Sequence, residues 1–140
     1  MIRRCSACGR PNRVPPQHLA DRGRCGSCKA PLPPVTEPID ADEATFDEVV
    51  REASVPVLVD FWAGWCAPCR RAATEVARVA EQMAGKAIVL KVDTERSPAL
   101  AARYGVQSIP NFVVLKDGRV VVQQAGLVDA AQLGSWLAAA

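Results

Sequence analysis

From about residue 39 onward, apolar positions alternate between helical and strand periods. Thr45–Val50 places Phe46, Val49 and Val50 on one helical face. Val55–Trp62 is β-branched and apolar, which predicts a buried central strand with one carboxylate, Asp60, inside it. Cys66–Met83 predicts a long helix. Pro68 suits its first turn, Val76, Val79, Ala80 and Met83 form an apolar stripe, and Gly85 follows as a stop. Ala87–Val92 reads as a second buried strand and Pro98–Tyr104 as a short helix ended by Gly105. Asn111–Leu115 and Arg119–Gln124 flank Asp117-Gly118, a strong hairpin signal. Asp129 is placed to cap a last helix bearing Leu133, Trp136 and Leu137 at i, i+3, i+4. A further short strand is expected around Thr36–Asp40. Helices between apolar strands imply parallel pairing, and the closing hairpin adds an antiparallel edge. The expected class is α/β, a central mixed sheet flanked by helices on both faces.

The first 33 residues differ. They are rich in Cys, Arg, Pro and Gly and sustain no helical or strand period. Pro31–Pro38 then reads as a stiff, extended linker. The chain therefore divides into a small module over 1–33, a linker with a possible first strand over 34–41, and a regular domain over 42–140.

Cys5-Ser-Ala-Cys8 and Cys25-Gly-Ser-Cys28 stand sixteen residues apart, the spacing of a four-cysteine zinc site. Each pair can grip one metal ion from a tight turn, and Gly9 and Gly26 are expected to supply the unusual backbone angles. Four thiolates fill a tetrahedral site and leave no position for water, so a zinc ion there is structural. The module has few apolar residues (Ile2, Val14, Leu19, Leu32), and metal binding would supply the stability its small core lacks. His18, the only histidine, is left outside the ligand set. Two disulfides or an iron–sulfur cluster are the competing readings, and a zinc site released by oxidation is compatible with the first.

Composition narrows the class. The chain has 140 residues, 49% of them hydrophobic, which suits one globular domain with an appendage. No run approaches the roughly 18 apolar residues of a membrane span. Met1-Ile-Arg-Arg-Cys5 lacks the apolar stretch of a signal peptide, so a cytoplasmic protein is expected, where cysteines serve as metal ligands or reactive thiols. Residues 1–34 hold seven Lys/Arg against a single acid, Asp21, while the rest holds ten basic and fourteen acidic residues. Four metal-bound thiolates would offset part of that excess. No aromatic residue occurs in 1–34, so base stacking has no support and nucleic acid is not expected as a partner.

The remaining cysteines lie in Trp65-Cys66-Ala67-Pro68-Cys69, directly after the central strand. Cys66 falls at a helix N-terminus, where free backbone N–H groups and the helix dipole favour a thiolate. Cys69, one turn further in, is poised to attack a mixed disulfide formed at Cys66. Pro68 restricts the turn between them, and Trp65 offers apolar cover to one side of the nucleophile.

With Val59-Asp60-Phe61-Trp62-Ala63, Lys91, Ile109-Pro110, Asp117-Gly118 and Gly126, this motif makes residues from about 36 to 140 resemble the thioredoxin family. The resemblance implies the thioredoxin fold and a protein-disulfide reductase that cycles between dithiol and disulfide at Cys66 and Cys69. It implies that Asp60 is a buried carboxylate assisting proton transfer at Cys69, with Lys91 nearby. It implies that Pro110 is in cis and faces the cysteines, that the Ile109 backbone pairs with an extended substrate, and that Gly126 leaves room beside Trp65. Trp65, Ala67, Pro68, Ile109, Pro110 and Gly126 would form the substrate surface. Disulfide-containing proteins and an NADPH-dependent thioredoxin reductase are the implied partners, with no organic cofactor bound, no membrane association and a monomer expected. The chain departs from the family pattern at Gly64, Ala67, Thr74 and Asn111, where Pro, Gly, Pro and Thr are usual. Ala67 bears on redox potential, and Thr74 predicts a straighter helix. The zinc module ahead of this domain extends the resemblance to the zinc-binding thioredoxin 2 subgroup of bacteria. A zinc-dependent redox sensor, or a module that brings redox chemistry to a partner, is the alternative reading.

Overall fold

A computed structural model describes all residues, 1–140. Two short antiparallel hairpins come first: β1 (Ile2–Arg4) with β2 (Pro11–Arg13), and β3 (Gly23–Arg24) with β4 (Pro31–Leu32). A 3-10 turn, Pro16–His18, lies between them. These strands are two or three residues long, too short to show a period, which is why the sequence reads there as irregular.

The larger part is a five-stranded sheet ordered β5-β7-β6-β8-β9, from β5 (Ile39–Asp40), β6 (Val57–Trp62), β7 (Ile88–Asp93), β8 (Asn111–Lys116) and β9 (Arg119–Ala125). β5, β7 and β6 are parallel, while β8 is antiparallel to β6 and β9 to β8. The parallel pairing expected of helix-linked strands therefore fails at β8, which the connection after β7 returns to the sheet in the opposite sense. The helices are α1 (Glu43–Glu52), α2 (Ala67–Gln82), α3 (Pro98–Arg103) and α4 (Ala130–Ala139). Asp42 caps α1 by accepting from Thr45 N at 2.8 Å, and Asp129 caps α4 by accepting from Gln132 N at 2.9 Å. No helix is long and apolar enough to cross a membrane.

Strand parity sorts the core into two clusters. Val57, Val59 and Phe61 of β6, with Leu90 and Val92 of β7, face Phe46 and Val49 of α1 and Leu100 of α3. Leu58, Val89, Phe112 and Val114 face Val76 and Val79 of α2 and Leu133 and Leu137 of α4. Asp60 and Lys91 have the parity of Leu58 and Val89, so both point toward the α2 side.

The hairpin module is seated on the main core, not hung from it. Leu19 and Val35 are buried members of the α1–α3 cluster, and Val35 N donates to Leu19 O at 3.0 Å. Residues 31–38 were expected to run as a linker, yet Pro31 and Leu32 form β4 and Val35 is an anchor. Leu19 and Val35, with the partly buried Met1 and Val14 against the same cluster, carry this docking, a signal with no periodicity. The contacts lie at Ser54, whose Oγ meets Gln17 O at 3.5 Å, and around Gly85, beside Ala20 and Pro34. Ser54 and Gly85 precede the parallel strands β6 and β7. The module therefore sits at the end of the sheet opposite the one where β6 delivers the chain to Cys66, ~20 Å away by strand rise.

Candidate functional site

β6 is wholly apolar but for Asp60, so burial holds it at the sheet centre and its C-terminal end must turn at Ala63–Trp65 to start α2. Cys66 is the N-cap of α2, not its first helical residue. Its Sγ accepts from Cys69 N at 3.1 Å, filling the role that a Ser or Asp side chain usually takes. Pro68 stands in the first turn, and Cys66 and Cys69 are joined as a disulfide with Cα atoms 5.2 Å apart. Both cysteines are buried, while Trp65 beside them is 69% exposed. A thiolate at this cap would receive the Cys69 N–H and the positive end of α2.

The Ile109–Pro110 bond is cis, and Ile109 O lies 3.7 Å from Cys66 Sγ. Gly126 N donates to Pro110 O at 2.8 Å. Gly126 has φ +99°, a conformation that side chains rarely adopt, and a Cβ there would meet open space. Glycine is thus required by the backbone turn that lets its N–H reach Pro110.

Asp60 is 1% exposed, stands opposite Lys91 and Phe112 across the sheet, and has no hydrogen-bond partner on either carboxylate oxygen. Desolvation pushes its carboxyl up to about 7, against the opposing pull of the Lys91 ammonium. Lys91 Nζ lies 4.8 Å from the Trp62 ring centroid, over its face.

Three neighbours gave no sign in the sequence. Trp65 Nε1 donates to Glu95 Oε1 at 2.8 Å, thirty residues away. Arg70 Nη1 donates to Gly64 O at 2.7 Å, bracing the turn where the family pattern has proline. Gln123 Nε2 donates to Tyr104 O at 2.8 Å and to Asn111 Oδ1 at 3.3 Å, which ties the residue after Pro110 to the end of α3. Each pairing joins separate elements, so no local pattern announces it.

The other four cysteines form two matching turns. Cys5 N donates to Arg10 O and Gly9 N to Cys5 O; Cys25 N donates to Ala30 O and Lys29 N to Cys25 O. The four sulfurs lie within 4.8 Å of one another, with Cys5–Cys28 and Cys8–Cys25 each at 3.6 Å. A tetrahedron with metal–sulfur bonds of about 2.3 Å has sulfur–sulfur edges of about 3.8 Å, so the cluster fits one metal ion. Backbone N–H groups of Cys28 and Ser27 hold the Cys25 thiol down to about 6, and those of Cys8 and Ala7 lower Cys5. At Cys28 the Ala30 N–H also lowers, but burial and three neighbouring cysteines push it up to about 11. So close a set of sulfurs ionises together only around a cation.

The turns correct one expectation. Gly9 has φ +76°, but the equivalent position in the second turn is Lys29, at φ +65°, not Gly26. Gly26 instead donates its N–H to Asn12 Oδ1 at 2.9 Å, while Asn12 Nδ2 lies 3.6 Å from Cys25 Sγ. Lys29→Gly is therefore expected to stabilise the metal-loaded module by roughly 1 kcal/mol, since it relieves a left-handed lysine. Slower metal loss to a chelator checks this; faster loss contradicts it.

A family model described as Thioredoxin matches residues 37–139. Thioredoxin C-3 of Corynebacterium nephridii is 39% identical over 137 residues, covering 98% of this chain and 93% of its own. That match takes in the cysteine module. Thioredoxin 1 of Synechococcus elongatus is 44% identical over 95 residues, 68% of this chain and 89% of its own. Among solved structures, a mutant thioredoxin from Halobacterium salinarum NRC-1 superposes with a TM-score of 0.69 at 34% identity, covering 74% of this chain and 90% of that one.

Proposed function

The chain belongs to the thioredoxin family and is a thiol–disulfide oxidoreductase, and on that premise we propose how its own residues divide the work. The Cys66 thiolate attacks one sulfur of a protein disulfide. The substrate S–S bond breaks, a mixed disulfide forms at Cys66, and the other substrate sulfur leaves and takes up a proton. Asp60 removes the proton of Cys69, and the Cys69 thiolate attacks Cys66 Sγ. The Cys66–Cys69 disulfide forms and the second substrate thiol departs. The single observation that carries this assignment is the cap: Cys66 Sγ receives the Cys69 N–H at the N-terminus of α2.

The other site residues take supporting parts in this reading. Ile109 offers backbone to an extended substrate, and Pro110 is held by Gly126. Trp65, Ala67 and Pro68 supply the surface beside the reactive sulfur, and Lys91 moderates the charge of Asp60. Zinc, held by Cys5, Cys8, Cys25 and Cys28, would be fully coordinated and would supply cross-linking stability only. Family partners are disulfide-bearing proteins and thioredoxin reductase. We take the protein to act as a cytoplasmic monomer without nucleic acid. NADPH consumption coupled through thioredoxin reductase to reduction of a protein disulfide tests the reading; no consumption with fully metal-loaded protein would end it.

Asp60 also predicts a pH dependence of stability. Its folded value, about 7, lies above the reference carboxyl value of 3.8. Between these values the folded protein binds more protons than the unfolded one, so stability falls as pH rises. The favourable contribution is complete below pH ~4 and gone above ~7, a difference on the order of 4 kcal/mol from the shift. Asp60→Asn is expected to flatten this slope and to exceed the parent protein in stability at pH 8. Denaturation of both proteins across that range checks it, and parallel slopes would refute it.

A further inference from the structure

The two hairpins enclose a cleft of about 440 Å³ that the exchange chemistry does not use. Arg3 of β1, Arg13 of β2, Arg24 of β3 and Arg22 just before it all line it. None of these four guanidinium groups pairs with a carboxylate of the chain. The one acid on the rim, Asp21, is engaged by His18, with Nδ1 2.7 Å from Oδ2. Arg3 donates to Pro33 O and Arg24 to Lys29 O, so the backbone holds their side chains in place. Unpaired positive charge gathered in a concave surface, at this density, is a site for anions.

We propose that this cleft binds acidic segments of the disulfide-bearing proteins that the chain reduces, with Arg3, Arg13, Arg22 and Arg24 as the docking side chains. The donors come from separate segments of two hairpins. Their spread suits a row of carboxylates along an extended peptide better than one compact anion. Arg offers each carboxylate a planar, two-pronged donor. The cleft has no Phe, Tyr or Trp ring on which a base could stack, and its one imidazole, His18, is engaged by Asp21. Its place at the end of the sheet remote from Cys66 makes it a second foothold. A substrate held there presents its disulfide to Cys66 at raised effective concentration.

The four-cysteine cluster sets the shape of the cleft. Asn12 and Gly26 line it, and Asn12 bridges the hairpins through Gly26 N and the Cys25 sulfur. Metal loss would separate the two walls, so peptide binding should depend on metal occupancy. The choice of occupant rests on the protein-disulfide reading above, but the binding itself is measured without turnover. Failure of one therefore leaves the other standing.

The test uses the full, metal-loaded chain and a fluorescein-labelled oligo-glutamate peptide, read by anisotropy at physiological salt. Saturable binding is expected, weakened by added salt and lost on chelation. Arg13→Gln/Arg22→Gln should raise Kd about tenfold or more, or ~1.4 kcal/mol. Arg10→Gln/Arg119→Gln, equal in charge change but outside the cleft, should move it less than about twofold, an interval of roughly 0.4 kcal/mol. Metal content and circular dichroism show that both variants fold. Absence of peptide binding, or equal weakening in both variants, would overturn the proposal. Tighter binding of an oligothymidylate than of the peptide would also overturn it, in favour of nucleic acid.

Discussion

Cys66→Ser is expected to abolish disulfide reduction, a drop of more than ~10³-fold, because every turnover passes through a covalent bond at that sulfur. Serine is a preferred N-cap, so its hydroxyl can accept the Cys69 N–H that Sγ accepts now. The variant should therefore fold, keep its metal and retain the thermal stability of the reduced parent. Loss of activity in a stable protein locates the defect in chemistry. Cys69→Ser makes the complementary prediction. Attack by Cys66 still occurs, but no thiol resolves the product, so substrate accumulates as a mixed disulfide on Cys66. Mass spectrometry of quenched reactions detects that adduct. Activity that survives Cys66→Ser, or an adduct on Cys69 in the parent, would reverse the roles.

The sheet and its helices were legible because each long element repeats one period against one core face. β6 and β7 show it most clearly: their apolar runs require burial on both sides, and parity alone puts Asp60 and Lys91 on the α2 side. Within the exchange motif, Pro68 and the strand-to-helix transition marked the N-terminus of α2, though the cap itself proved to be Cys66. What stayed hidden has a common cause. Glu95 under Trp65, Gln123 against Asn111, and Leu19 with Val35 on the main core are single contacts between distant segments. The exchange of Gly26 for Lys29 at the left-handed position is a different case. Cys25-Gly-Ser-Cys28 offered a glycine, and composition alone could not tell that the turn needs its special angle four residues after the first cysteine.

Removing the metal is expected to unfold residues 1–33 while leaving reduction of a disulfide substrate that carries no acidic segment within about twofold of the parent. The module buries little apolar surface of its own, chiefly Leu19, Ala20 and Leu32 with Cys5 and Cys25. Its strands are two or three residues long, and the sulfur cluster joins its two hairpins with help from the Gly26–Asn12 hydrogen bond. Metal binding in small modules contributes on the order of 10–16 kcal/mol, more than so few contacts can replace. Chelation under reducing conditions, or Cys25→Ser, should therefore erase amide protection across the module. The damage should also reach the main core, because Leu19 is packed against it. Withdrawing a buried leucine typically costs about 2–5 kcal/mol, so melting of the remaining domain should fall by roughly ten degrees or more. Activity measured well below that melting point should persist, since the module docks at Ser54 and Gly85, before the parallel strands, and Cys66 lies beyond the far end of β6. Hydrogen exchange, thermal melting and the reductase-coupled assay on one chelated sample separate these effects. Full protection after metal loss would show that packing on the core holds the module together. Collapse of activity together with protection would mean that the two ends of the sheet are coupled through β6 and β7.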